Sequence, residues 1–434
     1  MMGGGPEAVG GGRYDDPHRT VDAVWRIESA RLIAGVARMV RDVGLAEEFA
    51  QEALVAALKQ WPEGGVPDRP GAWLMATAKR RAFDHLRRNK MLDRKHAEIG
   101  RELEEELDPT EAIEEALDDE IGDDLLKLIF VSCHPLLSPE ARTALTLRLL
   151  GGLTTDEIAR AFLVPEPTIA QRIVRAKRTL SEAQVPFEVP RGTELAERLS
   201  SVLEVIYLVF NEGYAASAGD DWLRPQLCEE AMRLGRIVAE LVPGEMEVHG
   251  LVALMELQAS RSRARTAPDG TPILLLEQNR ALWDQMLIRR GLAALARAEA
   301  IGGIAGPYVL QASIAACHAK ARTAEETNWV RIAAFYSVLA TVTPSPVIEL
   351  NRAMAVAMAF GPQAGLDIAD KVAAEPALKS YHFLPSVRAD LLQRLGRRAE
   401  ARAEYERAAQ MTRNVRERDM LLARARDCGA DRAG

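Results

Sequence analysis

Thr168, Gln171, Arg172 and Arg175 recur at i, i+3, i+4 and i+7, with Lys177 and Arg178 on their flanks. On a helix this spacing gathers a hydroxyl, a carboxamide and two guanidinium groups on one face. The chemistry on offer is hydrogen bonding to nucleic acid: a guanidinium can bond guanine through two donors, and a carboxamide can do the same for adenine. The other side of the stretch is apolar, with Ile169, Ile173, Ala176 and Leu180 suited to a core. Upstream, Thr154 and Glu157 form a capping-box pattern, in which hydroxyl and carboxylate satisfy each other's unpaired amides at a helix start. Ile158, Ala159 and Phe162 give that helix one apolar face, and Pro165 ends it. Two short helices joined by a tight turn, the second polar and basic, form the helix-turn-helix pattern, whose second helix enters the DNA major groove. A plain helical hairpin with a solvated basic face would use the same residues.

Covalent chemistry finds less support. The segment NEGYAAS, beginning at Asn211, supplies an amide, a carboxylate and a phenol, but no neighbouring residue completes a catalytic set. Cys133–His134 and Cys317–His318 are adjacent pairs, and adjacent residues on a helix point in different directions. The four cysteines have no CxxC spacing, which suits a reducing cytoplasm and offers no metal framework. His249, His318 and His382 read as core or groove residues. There is no P-loop and no dinucleotide fingerprint, so a non-enzyme without cofactor or metal is expected.

The elements that must position the basic face are helices. Ala, Leu, Arg and Glu dominate the 434 residues and only 5% are aromatic, which points to an all-α protein of several domains. No apolar run is long enough to span a membrane, and the first 19 residues read as a flexible Gly-rich tail without a signal-peptide core. The net charge of −8 looks wrong for a DNA binder until its distribution is read. Residues 98–124 hold 14 acids and one base, so the rest of the chain carries +5. Residues 79–95 alone carry eight bases and two acids. The acidic segment is either a solvated tether or a nucleic-acid mimic that masks basic helices, and part of it, residues 109–119, is compatible with a short helix.

In order, helices are expected over residues 21–40, 46–60 and 72–90, with the prolines and glycines of residues 61–71 excluding regular structure between the last two. The third places Trp73, Leu74, Ala78, Ala82 and Leu86 towards a core and leaves Lys79, Arg80, Arg81, Arg87 and Arg88 for phosphates. The proline-spaced VPFEVPRG marks a boundary after residue 185. Beyond it the chain stays helical, over residues 195–210, 227–241, 246–264, 275–290, 308–321, 329–342 and further on. Gly361, Ala364 and Ala374 recur 35 residues later as Gly396, Ala399 and Ala409, close to the tetratricopeptide (TPR) period of about 34. Small residues at those positions let paired helices pack closely, and stacked pairs make a concave surface for a partner.

AEEFAQEALVAAL from Ala46, GAWLMATAKRRAFDHLRR from Gly71 and the hairpin of residues 152–180 together resemble the extracytoplasmic-function (ECF) class of bacterial sigma factors. The three stretches fall in that family's order, and the resemblance covers roughly residues 20–185. It implies sigma region 2 over residues 20–97, the acidic linker over 98–124, and sigma region 4 over 125–185. It also implies two partners, core RNA polymerase and promoter DNA. By similarity, the second helix docks on polymerase through Glu48, Gln51 and Glu52. The loop after it holds an extruded base of the −10 element, and the basic helix steadies the opened strand. The Thr168–Arg175 face reads the −35 element, which makes the chain a transcription initiation factor. Glu48, Phe49 and Ala50 depart mildly from the family pattern. Pro165 and Pro167 replace a Ser and a Gly, and Ala170 replaces a Lys, so promoter sequence does not carry over.

Residues 186–434 resemble the large TPR-like extension of one ECF subgroup, with NEGY at Asn211 and SPVIELNRAMAV at Ser345 as its marks. Asn211, Glu212 and Tyr214 are expected to form a polar junction between the extension and region 4, and the extension to regulate transcription in cis through a protein or small-ligand partner. Two other readings use the same residues. A stand-alone helix-turn-helix regulator with a sensing TPR domain would bind pseudo-palindromic DNA as a dimer, but leaves residues 46–88 unexplained. A TPR scaffold without transcriptional activity rests on Pro165 and Pro167 alone.

Overall fold

The computed structural model describes residues 17–97, 120–162, 164–214, 224–268, 271–379, 381–412 and 414–429. The N-terminal tail, most of the acidic segment and the AAS of NEGYAAS lie outside them. The described residues build eighteen α-helices and no strand, and they fall into two compact units: residues up to Ile158 with Ile169–Arg198, and Ala159–Thr168 with Leu199–Gly434.

The first unit begins with α1 (Pro17–Val40), α2 (Val43–Gly64) and α3 (Pro70–Ala97), packed pairwise. Asp42 caps α2, its carboxylate accepting from the Gly44 and Leu45 amides at 2.7 and 2.9 Å. Ala46, Ala50, Ala53 and Ala57 of α2 meet Ala78 and Ala82 of α3, all buried, so the helices pack with little side chain between them. α2 runs past Trp61 and through Pro62, where a break is expected from the sequence. Pro62 sits in the last turn and forfeits one backbone bond, while buried Trp61 anchors that turn edge-on against Trp73, ring centroids 5.5 Å apart. Leu86, expected in the core, is exposed instead, on the part of α3 that continues to Ala97.

α4 (Glu120–Ser132), α5 (Pro139–Leu149), α6 (Thr155–Phe162) and α7 (Glu166–Glu182) follow. Ser138 caps α5 ahead of a proline. The capping box of α6 forms as read: Thr154 N donates to Glu157 at 2.8 Å and Glu157 N to Thr154 Oγ1 at 3.1 Å. Gly152 precedes it with φ 65°, and a Cβ there would stand 2.9 Å from Ser29 Oγ of α1, so glycine is required twice over.

In the second unit α8 (Thr193–Tyr214), α9 (Pro225–Leu241) and α10 (Met246–Ala259) lead into α11 (Gln285–Gly302), α12 (Pro307–Lys320) and α13 (Trp329–Val342). Then come α14 (Pro346–Phe360), α15 (Pro362–Val372), α16 (Phe383–Arg394), α17 (Arg398–Met411) and α18 (Val415–Gly429). α12 packs chiefly on α10, and from α13 onward each helix packs chiefly on its neighbours in sequence, as in a solenoid. The repeat read at Gly361 and Gly396 corresponds to helix pairs: each glycine adopts positive φ, 106° and 76°, in the tight turn from α14 to α15 and from α16 to α17.

The helices expected over residues 246–264 and 275–290 do not form at those bounds. α10 stops at Ala259, and α11 starts only after Asp284, whose carboxylate accepts from Met286 N and Leu287 N. Between them Thr266 bridges Pro272, and the Arg280 guanidinium bonds the carbonyls of His318 and Ala321 at 2.6 and 2.8 Å and the Thr327 hydroxyl at 3.1 Å. These long-range bonds outweigh local helix preference.

Candidate nucleic-acid interface

α7 buries Ile169, Ile173, Ala176 and Leu180 and turns outward a stripe offset from the one read in the sequence. Its fully exposed members are Gln171, Val174, Arg175 and Arg178, while Thr168 and Arg172 are half-buried along one edge. Val174 is 63% exposed amid polar groups. The sequence reading passed over it, although Val at i+3 from Gln171 was the available signal. An apolar side chain there suits contact with a thymine methyl, which polar residues do not.

Lys177 faces elsewhere. Its ammonium pairs with Glu47 of α2, which also receives Arg148 Nε of α5 at 2.6 Å and the Gln51 carboxamide. Glu47 is only 2% exposed. A buried carboxylate therefore holds the basic helix of the hairpin and α5 against α2, and Lys177 is engaged internally. The clue in the sequence was an acid on the Val43–Glu47–Ala50 side of α2, where the neighbours at i−4 and i+3 are apolar. A second, solvent-exposed tie joins the other helix of the hairpin to α1, Arg26 to Glu157 of α6 at 2.9 Å.

Of the three residues expected to meet polymerase, Glu48 is exposed, Gln51 is half-buried on Glu47, and Glu52 pairs with Arg81 of α3 at 2.6 Å. On α3, Arg80, Arg81, Arg87 and Arg88 are exposed. Lys79 is not part of that track: it lies half-buried near Arg38 and Asp124, and desolvation together with Arg38 lowers its pKa against the opposing pull of Asp124. Phe83, 40% exposed, and Leu86 are interleaved with the arginines, giving α3 a stacking surface that periodicity alone did not reveal.

In the second unit, Glu212 pairs with Arg224, and the same guanidinium bonds the carbonyl of Ala161 in the last turn of α6. Tyr214 stacks on Phe210 and accepts from Arg261 at 2.6 Å, with the Arg265 guanidinium 3.6 Å over its ring. Asn211 bonds Tyr207.

Neither Cys–His pair is poised for catalysis. Burial raises the Cys133 thiol to about 11 and lowers His134 to about 4, so the thiolate–imidazolium form is disfavoured on both sides. Burial moves Cys317 up and His318 down to about 3 in the same way. Among the described residues no cluster of His, Cys, Asp or Glu could hold a metal ion, and no helix is long and apolar enough to cross a membrane.

Residues 27–91 match the sigma-70 region 2 family and residues 127–180 the sigma-70 region 4 family. Over 177 residues, 40% of this chain and 58% of the other, the sequence is 30% identical to a probable ECF RNA polymerase sigma factor, SigI of Mycobacterium tuberculosis. The chain belongs to the ECF sigma factors. The sigma factor also carries a large C-terminal helical extension, of which residues 198–299 match a family of unknown function, DUF6596. The chain is also 42% identical to an uncharacterized protein of Rhizobium meliloti (strain 1021), over 88% of this chain and 89% of the other. No solved structure matches. The two sigma regions coincide with α1–α3 and α4–α7, so both basic helices described above belong to them.

Proposed function

We propose that this sigma factor brings core RNA polymerase to its promoters in the cytoplasm and opens their −10 region. α7 reads the −35 duplex through Gln171, Arg175 and Arg178, with Thr168 and Arg172 at its edge. α3 and the residues before it hold the opened strand. Glu48, Gln51 and Glu52 contribute to the polymerase-facing side of α2. The chain performs no bond chemistry itself. The observation that carries this reading is the pairing of two basic helices, one in each sigma region, one bearing an aromatic among its arginines and the other a groove-reading stripe.

The extension regulates the factor in cis. Support comes from Arg224, which links Glu212 of the extension to the Ala161 carbonyl in the last turn of α6. In-vitro transcription with purified core polymerase on the chain's own upstream promoter tests both parts. The full chain should yield a polymerase-dependent transcript; DNA binding without one would assign a stand-alone regulator instead. A chain ending at residue 185 should differ from the full chain, silent if the extension is required and hyperactive if it inhibits. Equal yields, or a Glu212→Ala variant unchanged in both stability and transcription, would remove the regulatory role.

A further inference from the structure

The second unit contains a cavity of about 420 Å³ among α13, α14, α16, α17, α18 and the segment between α10 and α11. Packed solenoid cores leave few voids larger than a water molecule, whereas small-molecule sites run from about 300 to 1,000 Å³. Trp329, Tyr336, Phe383 and Tyr405 bring four aromatic rings to its wall. Met354, Met358 and Met420 add unbranched, polarizable side chains that adapt to a ligand's shape.

The side that a TPR array would leave open to a peptide is occupied by the chain itself. Leu274, Leu275 and Leu276 line the cavity there, and Glu277 pairs with Arg424 of α18 at 3.1 Å. With that side of the half-open pocket covered by residues 274–277, a compact ligand fits better than an extended segment.

The charges at the wall are already spent on one another. Arg424 also meets Asp390 at 3.6 Å, and Arg394 binds Asp390 at 2.6 Å. Glu417 pairs with His382 at 3.0 Å and accepts from the Thr412 hydroxyl. No lysine lines the cavity, and its carboxylates, Glu277, Asp390 and Glu417, outnumber its guanidinium groups, Arg394 and Arg424. A phosphate or carboxylate would enter without a free cation to receive it.

From this cavity we infer that the C-terminal extension binds an uncharged, ring-containing apolar small molecule between its solenoid helices and the segment 274–277. Occupancy as the regulatory signal rests on the cis-regulation reading; binding itself does not, and its test contains neither polymerase nor DNA.

The test uses the full chain and two dyes with similar ring bodies, uncharged N-phenylnaphthylamine and anionic anilinonaphthalene sulfonate. The uncharged dye should bind saturably at one site per chain. The sulfonate should bind at least about tenfold more weakly, since its charge would be buried unpaired. Val387→Trp and Met354→Trp each place an indole in the cavity and should weaken the uncharged dye by at least ~tenfold, with unfolding midpoints checking that each variant is folded. Hydrogen exchange on the unaltered chain supplies a readout that no variant can confound. Saturating dye should slow exchange in residues 274–277, α14 and α16. Equal affinity for the sulfonate, undiminished binding by folded Trp variants, or protection confined to other helices would each overturn the inference.

Discussion

Glu47 concentrates the consequences of one buried carboxylate. Its partners Arg148 and Lys177 reach it from α5 and α7, and both keep about a fifth of their side-chain surface in water. Partial solvation tempers the cost of losing the pair, so Glu47→Gln should destabilise the chain by roughly 1–3 kcal/mol, below the full penalty for breaking a buried pair. Urea unfolding measures that. The substitution also releases Lys177 towards phosphates. The salt dependence of duplex binding should then steepen by about 0.9 in log–log slope, one added phosphate contact; an unchanged slope would mean that Lys177 stays away from DNA. His318 makes a separate prediction. Its folded pKa of about 3 lies below the ordinary value of 6.5 because burial, Arg261 and Arg280 disfavour the cation. The unfolded chain therefore binds the extra proton first. The stability this group contributes is complete above pH 6.5 and is lost as pH falls towards 3, on the order of 2 kcal/mol by pH 5. His318→Gln should flatten that slope in urea titrations; an identical pH profile would place the proton elsewhere. The sequence reads His318 as a core or groove residue but does not show its neutrality, which depends on burial and on two arginines distant in the chain.

At the scale of elements, α7 divides its work along its exposed edge. Arg175 is exposed at mid-helix, where base reading is proposed, whereas Arg178 lies nearer the helix end, 3.5 Å from Glu182. Arg175→Ala should cost about 1–3 kcal/mol on the cognate −35 duplex and little on scrambled DNA. Arg178→Ala should weaken both duplexes alike, as a phosphate contact does. Fluorescence anisotropy on the two duplexes distinguishes these outcomes, and equal losses for Arg175→Ala would remove it from base reading. The hairpin itself was legible, because capping box, proline stop and apolar periodicity are local signals that agree. The direction of its outer face was less so. Lys177 and Val174 exchange roles once α2 supplies Glu47, a partner 130 residues away in sequence. The same limit explains residues 275–284, where the first part of the expected helix is held out of an α-helix by Arg280 and its carbonyl partners, α11 beginning only at Gln285.

Across the whole molecule, the repeat of glycines at 361 and 396 and the order of the sigma regions were readable because each is encoded within one stretch. The grouping of the helices into units was not. Region 2 and most of region 4 share one unit, although an acidic segment separates them in sequence, while Ala159–Thr168 of region 4 groups with the extension. That acidic segment carries a local net charge of −13 beside a remainder of +5, the charge a nucleic-acid mimic would need to compete with DNA for the basic helices. Its last residue, Asp124, already has a structural use, buried and paired with Arg38 at 3.3 Å and Lys127 at 3.2 Å. The substitutions that test the segment therefore leave Asp124 in place. Replacing Glu102, Glu104, Glu105, Glu106, Glu111, Glu114 and Glu115 by Gln removes seven charges and keeps chain length. If the segment mimics nucleic acid, the full chain should then bind non-specific duplex several-fold more tightly at low salt, and the gain should fade once the Debye length falls towards about 3 Å near 1 M salt. A tether alone predicts no change, because length and solvation are preserved. The two roles thus separate on one titration, and a gain that persists at high salt would point to altered structure rather than released charge.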